Sequence, residues 1–279
     1  MCQISVVMSI CDAGDYVTES IESVLKQSLS DFELIILNNG SVDNIRLIIS
    51  SYDDKRIRLI DNEIQDHVQL LNSGIKAAAG KYIALHNSDS IMHIDRLKLQ
   101  YSIMEEFPEI TVCSSWETVF GEKLPRKFIE QKVSGLIEMP LIQLLSDDII
   151  INLTYTIRRS FIIEHNLLFE NCDDAEEYKF WVETAKLNGG FYIDSQPLVY
   201  RKFNDSTISR NRRLKEIQSI SAIKKEILTF LCKKYDEKYP GVNDLHTAYY
   251  KLLNHKLVTE EDIFTLFHSL FVKNKNKLL

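Results

Sequence analysis

The stretch YIALHNSDS at residues 82–90 joins a short apolar run to a polar cluster. Tyr82–His86 is predicted to be a buried β-strand, because the run is short and almost entirely apolar. Asn87–Ser90 follows it without a linker. The same arrangement occurs at Glu33–Leu37, whose apolar residues lead directly into the polar segment Asn38–Asp43. Two buried strands therefore each end in a group of polar side chains.

Further strands and helices alternate around these two segments. Additional buried strands are predicted at Ile4–Met8 and Ile57–Asp61. Helical spacing of apolar residues predicts helices that begin after Asp15, cover Leu70–Ala79 and run from about Asp95 to Phe107. Strands buried on both faces and separated by helices imply βαβ units and a mainly parallel sheet. In such a sheet ligands bind beyond the carboxyl ends of the strands, where both polar clusters lie.

The second half of the chain has a less regular pattern. Strands are predicted at Val112–Phe120, Tyr155–Arg158, Phe191–Ile193 and Leu198–Arg201, and helices at Leu141–Leu145, Phe161–Glu164 and Asp173–Asn188. The last of these helices opens with four acids and is stopped by two glycines. Asn204–Arg213 is polar and is predicted to be a mobile loop, and the pattern from Leu214 onward is helical.

Composition and cysteine usage exclude several classes of protein. The 279 residues carry a formal net charge of −7, whereas a dedicated nucleic-acid binder is usually basic. The five cysteines are scattered and form no Cys-x-x-Cys pair, which argues against a disulfide framework or a zinc site and favours a reducing cytosol. We expect no signal peptide, because Asp12 and Asp15 interrupt the first apolar run, and no segment long enough to cross a membrane.

The charge is distributed unevenly, and the C-terminal part has an amphipathic pattern. Residues 201–279 carry 16 basic and 9 acidic side chains, a net charge of +7, which leaves −14 for residues 1–200. Apolar residues recur there at helical spacing at Ile263, Leu266, Phe267, Leu270 and Phe271. We expect this face to pack on the preceding helix, and the alternatives are a peripheral membrane contact or a homo-oligomer interface. The expected packing partners are Ile217, Ile220, Ile227 and Leu231.

Six motifs, taken in order, resemble the inverting family 2 glycosyltransferases of the GT-A fold. The first is the strand, turn and helix of residues 4–37, ISVVMSICDAGDYVTESIESVLKQSLSDFELIIL. The others are Asn38–Asp43 for the family's Asp-Asp-Gly-Ser-x-Asp turn, Asn72–Ala84 for its Asn-x-Gly-Ile stretch, Asn87–Ser90 for Asp-x-Asp-Asp, Glu176–Trp181 for the acidic pair before Tyr-x-x-Trp, and Leu198–Arg201 for Leu-x-Tyr-Arg. The resemblance covers about residues 3–209 and stops before the last seventy.

The resemblance implies both a fold and an activity. The fold is α/β of the GT-A type, a Rossmann-like, mainly parallel sheet flanked by helices, with a glycosyltransferase domain over residues 1–209 and a C-terminal helical extension over residues 210–279. The activity is transfer of a sugar from a nucleotide-sugar donor to a hydroxyl of a glycan or glycolipid acceptor in cell-surface polysaccharide synthesis. An inverting transfer needs one general base and no enzyme nucleophile.

The family's acidic pair makes Glu177 the candidate base. Glu177 stands at the start of a predicted helix, where the helix dipole favours an ionised carboxylate. Glu176 is the alternative, because the register of the pair is open by one residue. A purely structural interpretation is that both acids complement the helix dipole on a solvated face.

The acidic motif departs from the family pattern. Asp89 is retained as the candidate metal ligand, whereas Asn87 and Ser90 replace the outer acids and Phe203 replaces the family's histidine. One carboxylate with waters and two phosphates still suits Mg²⁺ or Mn²⁺, so weak dependence on a divalent cation is expected. The cationic alternatives for stabilising the leaving diphosphate are Arg201, Lys202, Arg210, Arg212 and Arg213. Ordinary solubility is the other interpretation of the last three.

The resemblance also implies a donor site at the strand ends. Its side chains would be those of Ser9, Cys11, Asp12, Asn39, Asn72, Asn87, Ser88, Asp89 and Arg201. Asn39 stands where the family has the acid that accepts a hydrogen bond from the base, often uracil. Because an amide also donates, uracil stays open and a base that presents an acceptor becomes more plausible. The structural alternatives are that Asn38–Gly40 is a turn with positive φ and that Asp12 caps the first helix.

A second class of function stays open on the sequence. The substitutions in the Asn38–Asp43 and Asn87–Ser90 motifs favour a catalytically weak or silent GT-A module that binds sugars or partner proteins. The retained Asp89, the acidic pair and Arg201 favour an enzyme. We expect the enzyme, acting in the cytoplasm or at the inner face of the membrane.

Overall fold

The computed structural model describes residues 2–10, 16–39, 44–62, 66–120, 127–129, 133–146, 148–202, 210–236, 238 and 240–278. In these segments the strands are β1 (Ile4–Ile10), β2 (Phe32–Asn39), β3 (Ile57–Asn62), β4 (Tyr82–Asn87), β5 (Ser90–Met92), β6 (Ile110–Phe120), β7 (Lys127–Ile129), β8 (Gly135–Leu136), β9 (Thr156–Arg158) and β10 (Gly190–Lys202). The helices are α1 (Val17–Leu25), α2 (Asn44–Ser50), α3 (His67–Ala77), α4 (Arg96–Glu106), α5 (Pro140–Ser146), α6 (Arg159–His165), α7 (Glu176–Lys186), α8 (Arg210–Asp236), α9 (Val242–Asn254), α10 (Glu260–Lys273) and α11 (Lys275–Leu278).

The strands form one mainly parallel sheet, which confirms the predicted α/β class. Its order is β3-β2-β1-β4-β9-β6-β10-β5, with β7 paired to β6 and β8 paired to β10. Strands β3, β2, β1 and β4 are parallel to one another, and β6 is parallel to β10. The short strands β9 and β5 run antiparallel to their neighbours. Helices between successive parallel strands are the βαβ connections that the sequence pattern predicted.

The register places several polar side chains at one edge of the sheet. Ser9 pairs with Asn87 of β4, and the next residue of β1 pairs with Asn38 of β2, which in turn pairs with Asp61 of β3. The carboxyl ends of β1, β2, β3 and β4 therefore lie side by side at one edge of the sheet. This is the edge at which ligands bind in sheets of this type.

The sheet is covered by apolar side chains on both faces. Residues alternate along β1, so that Val6 packs on one face with α1, α2 and α4, and Val7 packs on the other face with α3, α5 and α7. All seven residues of β1 are buried. Continuous apolar strands follow from this burial on both faces, because neither face of the strand meets water.

The C-terminal helices pack on the second face of the sheet. Helix α10 contributes Ile263, Phe264, Phe267 and Phe271 to the core shared with α5, α7 and α8. Intramolecular packing, the expected outcome, is therefore what the structure has. The face is rotated from the predicted one, because Phe264 is buried whereas Leu266 is 36% exposed. Of the expected partners on α8, Ile227 and Leu231 are buried and Ile217 is exposed.

Several predicted boundaries differ from the observed ones. The acidic helix begins at Glu176 rather than at Asp173, because Asp173 and Asp174 have φ values of 47° and 73° that a helix cannot contain. The two short strands predicted at 191–193 and 198–201 are parts of one strand, β10, which has register shifts around Pro197. Strand β2 continues through Asn39, so Asn38 belongs to a strand and not to a turn.

The two-part division of the chain stays a prediction. Its boundary at residue 209 falls within residues 203–209, outside the described residues, and α8 shares a core with α5 and α7. A peripheral membrane contact or an oligomer through the C-terminal helices also stays a prediction. No helix among the described segments combines the length and the apolar character needed to span a membrane.

Candidate active site

The polar cluster after β4 is held by side chains from neighbouring elements. The Ser9 hydroxyl donates to Asn87 Oδ1 at 3.4 Å, and the Ser20 hydroxyl of α1 donates to the carbonyl oxygen of Asn87 at 3.0 Å. Ser88 is buried, and Asp89 is partly exposed at the turn that leads into β5. Ser9, Asn87, Ser88 and Asp89, four of the predicted donor-binding residues, therefore lie together.

Two cationic residues at the end of β10 lie beside Asp89. The Lys202 backbone N–H donates to the carbonyl oxygen of Asp89 at 3.4 Å, and Arg201 pairs in register with Ser90. The Lys202 ammonium lies 3.5 Å from the ring centroid of Tyr16, a cation–π contact. Asp89 and two cationic residues thus lie near one another at this edge of the sheet.

Arg201 is fixed by a buried acid that the sequence analysis did not single out. Its Nε and Nη2 donate to the two carboxylate oxygens of Glu117 on β6, at 3.0 and 2.7 Å. The Glu117 side chain is only 3% exposed, whereas that of Arg201 is 38% exposed. The hydrogen bonds that Arg201 donates to Glu117 raise the pKa of Arg201, and the Asp89 carboxylate adds to this rise. A glutamate inside the apolar run of β6 was the available signal, because a buried carboxylate requires a partner.

Glu177 is a half-buried residue in the first turn of α7. The hydroxyl of Tyr155 donates to Glu177 Oε1 at 2.7 Å. Burial raises the pKa of Glu177 to about 7, and the hydrogen bond from Tyr155 opposes this rise. A carboxyl group with a pKa near neutrality is suited to accept a proton at physiological pH.

Glu176, the alternative base, is engaged elsewhere. Its Oε1 accepts hydrogen bonds from the backbone N–H groups of Asp174 at 3.2 Å and of Cys172 at 3.4 Å. These contacts hold the loop that enters α7. The two acids therefore have different surroundings, one directed to the preceding loop and the other to Tyr155.

The sheet brings Glu177 to the same edge as Asp89. Strand β9 is antiparallel to β4, with Thr156 opposite Ala84, so Tyr155 lies next to the carboxyl end of β4. The fully buried Arg96 reinforces this placement, since its Nη2 donates to the carbonyl oxygens of Leu85 at 3.1 Å and of Tyr155 at 3.2 Å. One guanidinium group thus ties the strand of the polar cluster to the tyrosine that contacts Glu177.

The remaining predicted donor residues have other positions. Asn72 exchanges two hydrogen bonds of 2.9 Å with the backbone of Phe169, so its amide fastens α3 to the loop before α7. Cys11 and Asp12 lie outside the described residues, as does the side chain of Asn39. A donor-binding role for these four residues stays a prediction. The cationic cluster at residues 210–213 and Phe203 fall outside the described side chains as well.

Asn38, at the end of β2, makes a polar contact with β3, and residues 40–43 of the predicted turn lie outside the described residues. The Asn38 amide donates to Asp61 Oδ1 at 2.8 Å, and Arg46 lies 3.3 Å from the other oxygen of Asp61. Sequence reasoning did not single out Asp61, although its place at the end of a predicted strand was the available signal.

The carboxyl edge of the sheet offers few charged oxygen donors for a divalent cation. In the described part of the chain, no group of three or more His, Cys, Asp and Glu side chains is arranged so that it could hold a metal ion. Asp89 is the carboxylate that the polar cluster retains, with amide and hydroxyl oxygens beside it. This set fits a cation that keeps most of its waters and takes further ligands from phosphates, as Mg²⁺ does.

Comparison with known structures identifies the class of the fold as GT-A. The Staphylococcus aureus protein TarS, solved in complex with UDP-GlcNAc, superposes with a TM-score of 0.64 over 86% of this chain and 74% of that chain, at 18% sequence identity. A likeness at this identity establishes the shared fold.

Comparison of sequences identifies the family. The family model described as glycosyl transferase family 2 matches residues 5–170, and the chain belongs to this family. An uncharacterized glycosyltransferase of Rickettsia felis is 30% identical over 195 residues, which is 70% of this chain and 32% of that protein, so the chain spans about a third of this relative. The Escherichia coli UDP-Glc:alpha-D-GlcNAc-diphosphoundecaprenol beta-1,3-glucosyltransferase WfgD is 27% identical over 212 residues, 75% of this chain and 80% of that protein.

Proposed function

We propose that this protein is an inverting glycosyltransferase that moves a sugar from a nucleotide-sugar donor to a hydroxyl group of a lipid-linked glycan. The observation that carries the proposal is the placement of the Glu177 carboxyl group, which accepts a hydrogen bond from Tyr155 beside the carboxyl end of β4. The rise of its pKa through burial agrees with a general base. Family membership supports the reaction class. The names of WfgD and of the TarS complex, which contain UDP-Glc and UDP-GlcNAc, support a UDP-sugar donor.

In the proposed mechanism Glu177 accepts the proton of the acceptor hydroxyl group as its oxygen attacks the anomeric carbon. The bond from that carbon to the diphosphate oxygen breaks in the same displacement, which inverts the configuration. Arg201 uses two of its five N–H groups on Glu117 and offers the others to the departing diphosphate. Glu117 thereby holds the Arg201 guanidinium in position for the negative charge that develops on the leaving group.

A divalent cation would be held by Asp89 in this proposal. When bound, it would neutralise part of the charge on the diphosphate. Arg201 and Lys202 supply positive charge at the same edge of the sheet. The divalent cation and these two side chains would therefore neutralise the diphosphate together.

The proposed setting is the cytoplasmic side of the membrane in cell-surface polysaccharide synthesis. The WfgD name contains a diphosphoundecaprenol acceptor, which supports a lipid-linked substrate. The scattered cysteines agree with a reducing compartment. This location is part of the proposal and depends on the acceptor class.

A thermal-shift screen across UDP, GDP, CDP and dTDP tests donor recognition. We expect UDP to raise the melting temperature most, because the names of both similar proteins contain a UDP-sugar. A ligand at about 100 times its Kd stabilises the native state by about 2.7 kcal/mol, which is a measurable shift. Arg201→Met should remove most of this shift. The control is Lys26→Met, which removes an exposed cation directly after α1. If none of the four nucleotides stabilises the protein, the proposed donor class is wrong.

Asp89→Ala should lower activity more than chelation does. We expect wild-type activity to fall by less than about tenfold in EDTA. A bound metal ion can stabilise the charge of the transition state by several kcal/mol, and in this proposal Arg201 and Lys202 supply part of that stabilisation. Asp89→Asn, which keeps the size of the side chain, separates loss of charge from loss of packing. Complete loss in EDTA with recovery in Mg²⁺ or Mn²⁺ would show strong metal dependence.

The second candidate is a catalytically silent GT-A module that binds sugars or partner proteins. The observation that favours it is the reduction of the acidic motif to the one carboxylate of Asp89. Slow release of free nucleoside diphosphate from the donor in the absence of acceptor distinguishes the two. A protein that binds the donor and releases none under any acceptor condition would be the silent module.

A further inference from the structure

We propose that Tyr155 is a positioning residue that aims the Glu177 carboxylate and keeps it in the ionised form required of a base. The inference rests on the proposed function of Glu177. Tyr155 acts through the base, Glu177, and lies outside the six motifs that resemble the family.

The phenol of Tyr155 is held in one place by its surroundings. Its side chain is fully buried, and its ring packs edge-on against Trp181 with centroids 4.4 Å apart. Its backbone carbonyl oxygen accepts a hydrogen bond from Arg96 Nη2, which also donates to the carbonyl oxygen of Leu85. The hydroxyl group therefore reaches Glu177 Oε1 from a fixed direction, at 2.7 Å.

The other charged groups around Glu177 oppose its ionisation. Asp148, from the segment after α5, and Glu176, from the same helix, are both acids and raise the pKa of Glu177, as burial does. The positive charge of Arg96 lowers the pKa of Tyr155, against the larger rise that burial causes. The hydrogen bond from Tyr155 favours the ionised carboxylate because the phenol donates to the charged oxygen. The N-terminal turn of α7 acts in the same direction.

The sign of the effect follows from these contacts. Without the phenolic donor the ionised form loses stabilisation, so the pKa of Glu177 rises. A base must be ionised, and the acid limb of the kcat/KM profile then moves to higher pH. We expect a shift of about one pH unit for one hydrogen bond, which is about a tenfold loss at pH 6 and little loss at pH 9.

Tyr155→Phe is the direct test, because it keeps the ring against Trp181 and removes only the hydroxyl group. The matched control is Tyr178→Phe, which removes a second buried phenol; Tyr178 lies on α7 and donates to the carbonyl oxygen of Leu144. We expect the acid limb to move in the first variant and to stay in the second. Installing 3-fluorotyrosine at position 155 strengthens the donor and should move the limb to lower pH.

A ¹³C NMR titration of the Glu177 carboxyl carbon, assigned by its loss in Glu177→Gln, reads the pKa independently of activity. An unchanged pKa in both Tyr155 variants would overturn the inference and leave the proposed function to its own test. A pKa that moves while the acid limb stays would show that Glu177 is not the base, and both proposals would then fall. Parallel movement of the pKa and the limb, with the Tyr178 control unmoved, is the expected result.

Discussion

Glu177→Gln should lower kcat by about 10²- to 10⁴-fold and leave the affinity for the nucleotide donor unchanged. The amide keeps the size of the side chain and can still accept from Tyr155, but it cannot take the proton of the acceptor hydroxyl group. Wild-type kcat/KM should rise with pH up to a pKa near 7, since the base is active when ionised. This acid limb should be absent from the residual activity of the variant.

Glu176→Gln is the matched control for this experiment. It lies one residue away on the same helical turn, but its carboxylate accepts backbone hydrogen bonds from the preceding loop. We expect a modest loss of stability and near-normal turnover. If Glu176→Gln loses turnover and Glu177→Gln does not, the base is assigned one residue out of register. If both variants are active, α7 does not supply the base.

Phe267→Ala should lower the free energy of unfolding by about 3–5 kcal/mol, as expected for a large side chain removed from a core. Phe267 is fully buried on α10 and packs against Phe271 and Tyr249, with ring centroids 6.1 Å apart in each case. The loss corresponds to a decrease in melting temperature on the order of 10 °C for a chain of this size. Thermal unfolding followed by circular dichroism measures both quantities.

Leu266→Ala is the control on the adjacent position of the same helix. Leu266 is 36% exposed, so its removal should cost about 1 kcal/mol or less. Equal and small effects of the two substitutions would show that α10 is not packed on the rest of the protein in solution. A vesicle-binding or oligomerisation assay of the Leu266 variant would then address the membrane and subunit alternatives.

Local pattern was sufficient where an element is determined by its own residues. The strand at Tyr82–Asn87 and its polar continuation were predictable, because a strand buried on both faces must be apolar along its length. Apolar spacing also predicted α3 and α4, although the predicted bounds, Leu70–Ala79 and about Asp95 to Phe107, differ from the observed ones by one to three residues. The predicted start of the acidic helix at Asp173 was wrong, because Asp173 and Asp174 have positive φ and belong to the loop whose Asp174 N–H donates to Glu176.

The sequence by itself determined the α/β class, the carboxyl edge as the place of the site, and Glu177, Asp89 and Arg201 as its candidate residues. Each of these follows from short-range spacing or from a motif that is contiguous in the chain. Only the tertiary structure decided the partners: Tyr155 for Glu177 and Glu117 for Arg201, separated by 22 and 84 residues. Such pairs form because a buried charge needs a hydrogen-bonding partner, and the strand order β4-β9-β6-β10, which no local pattern encodes, determines which partner is within reach.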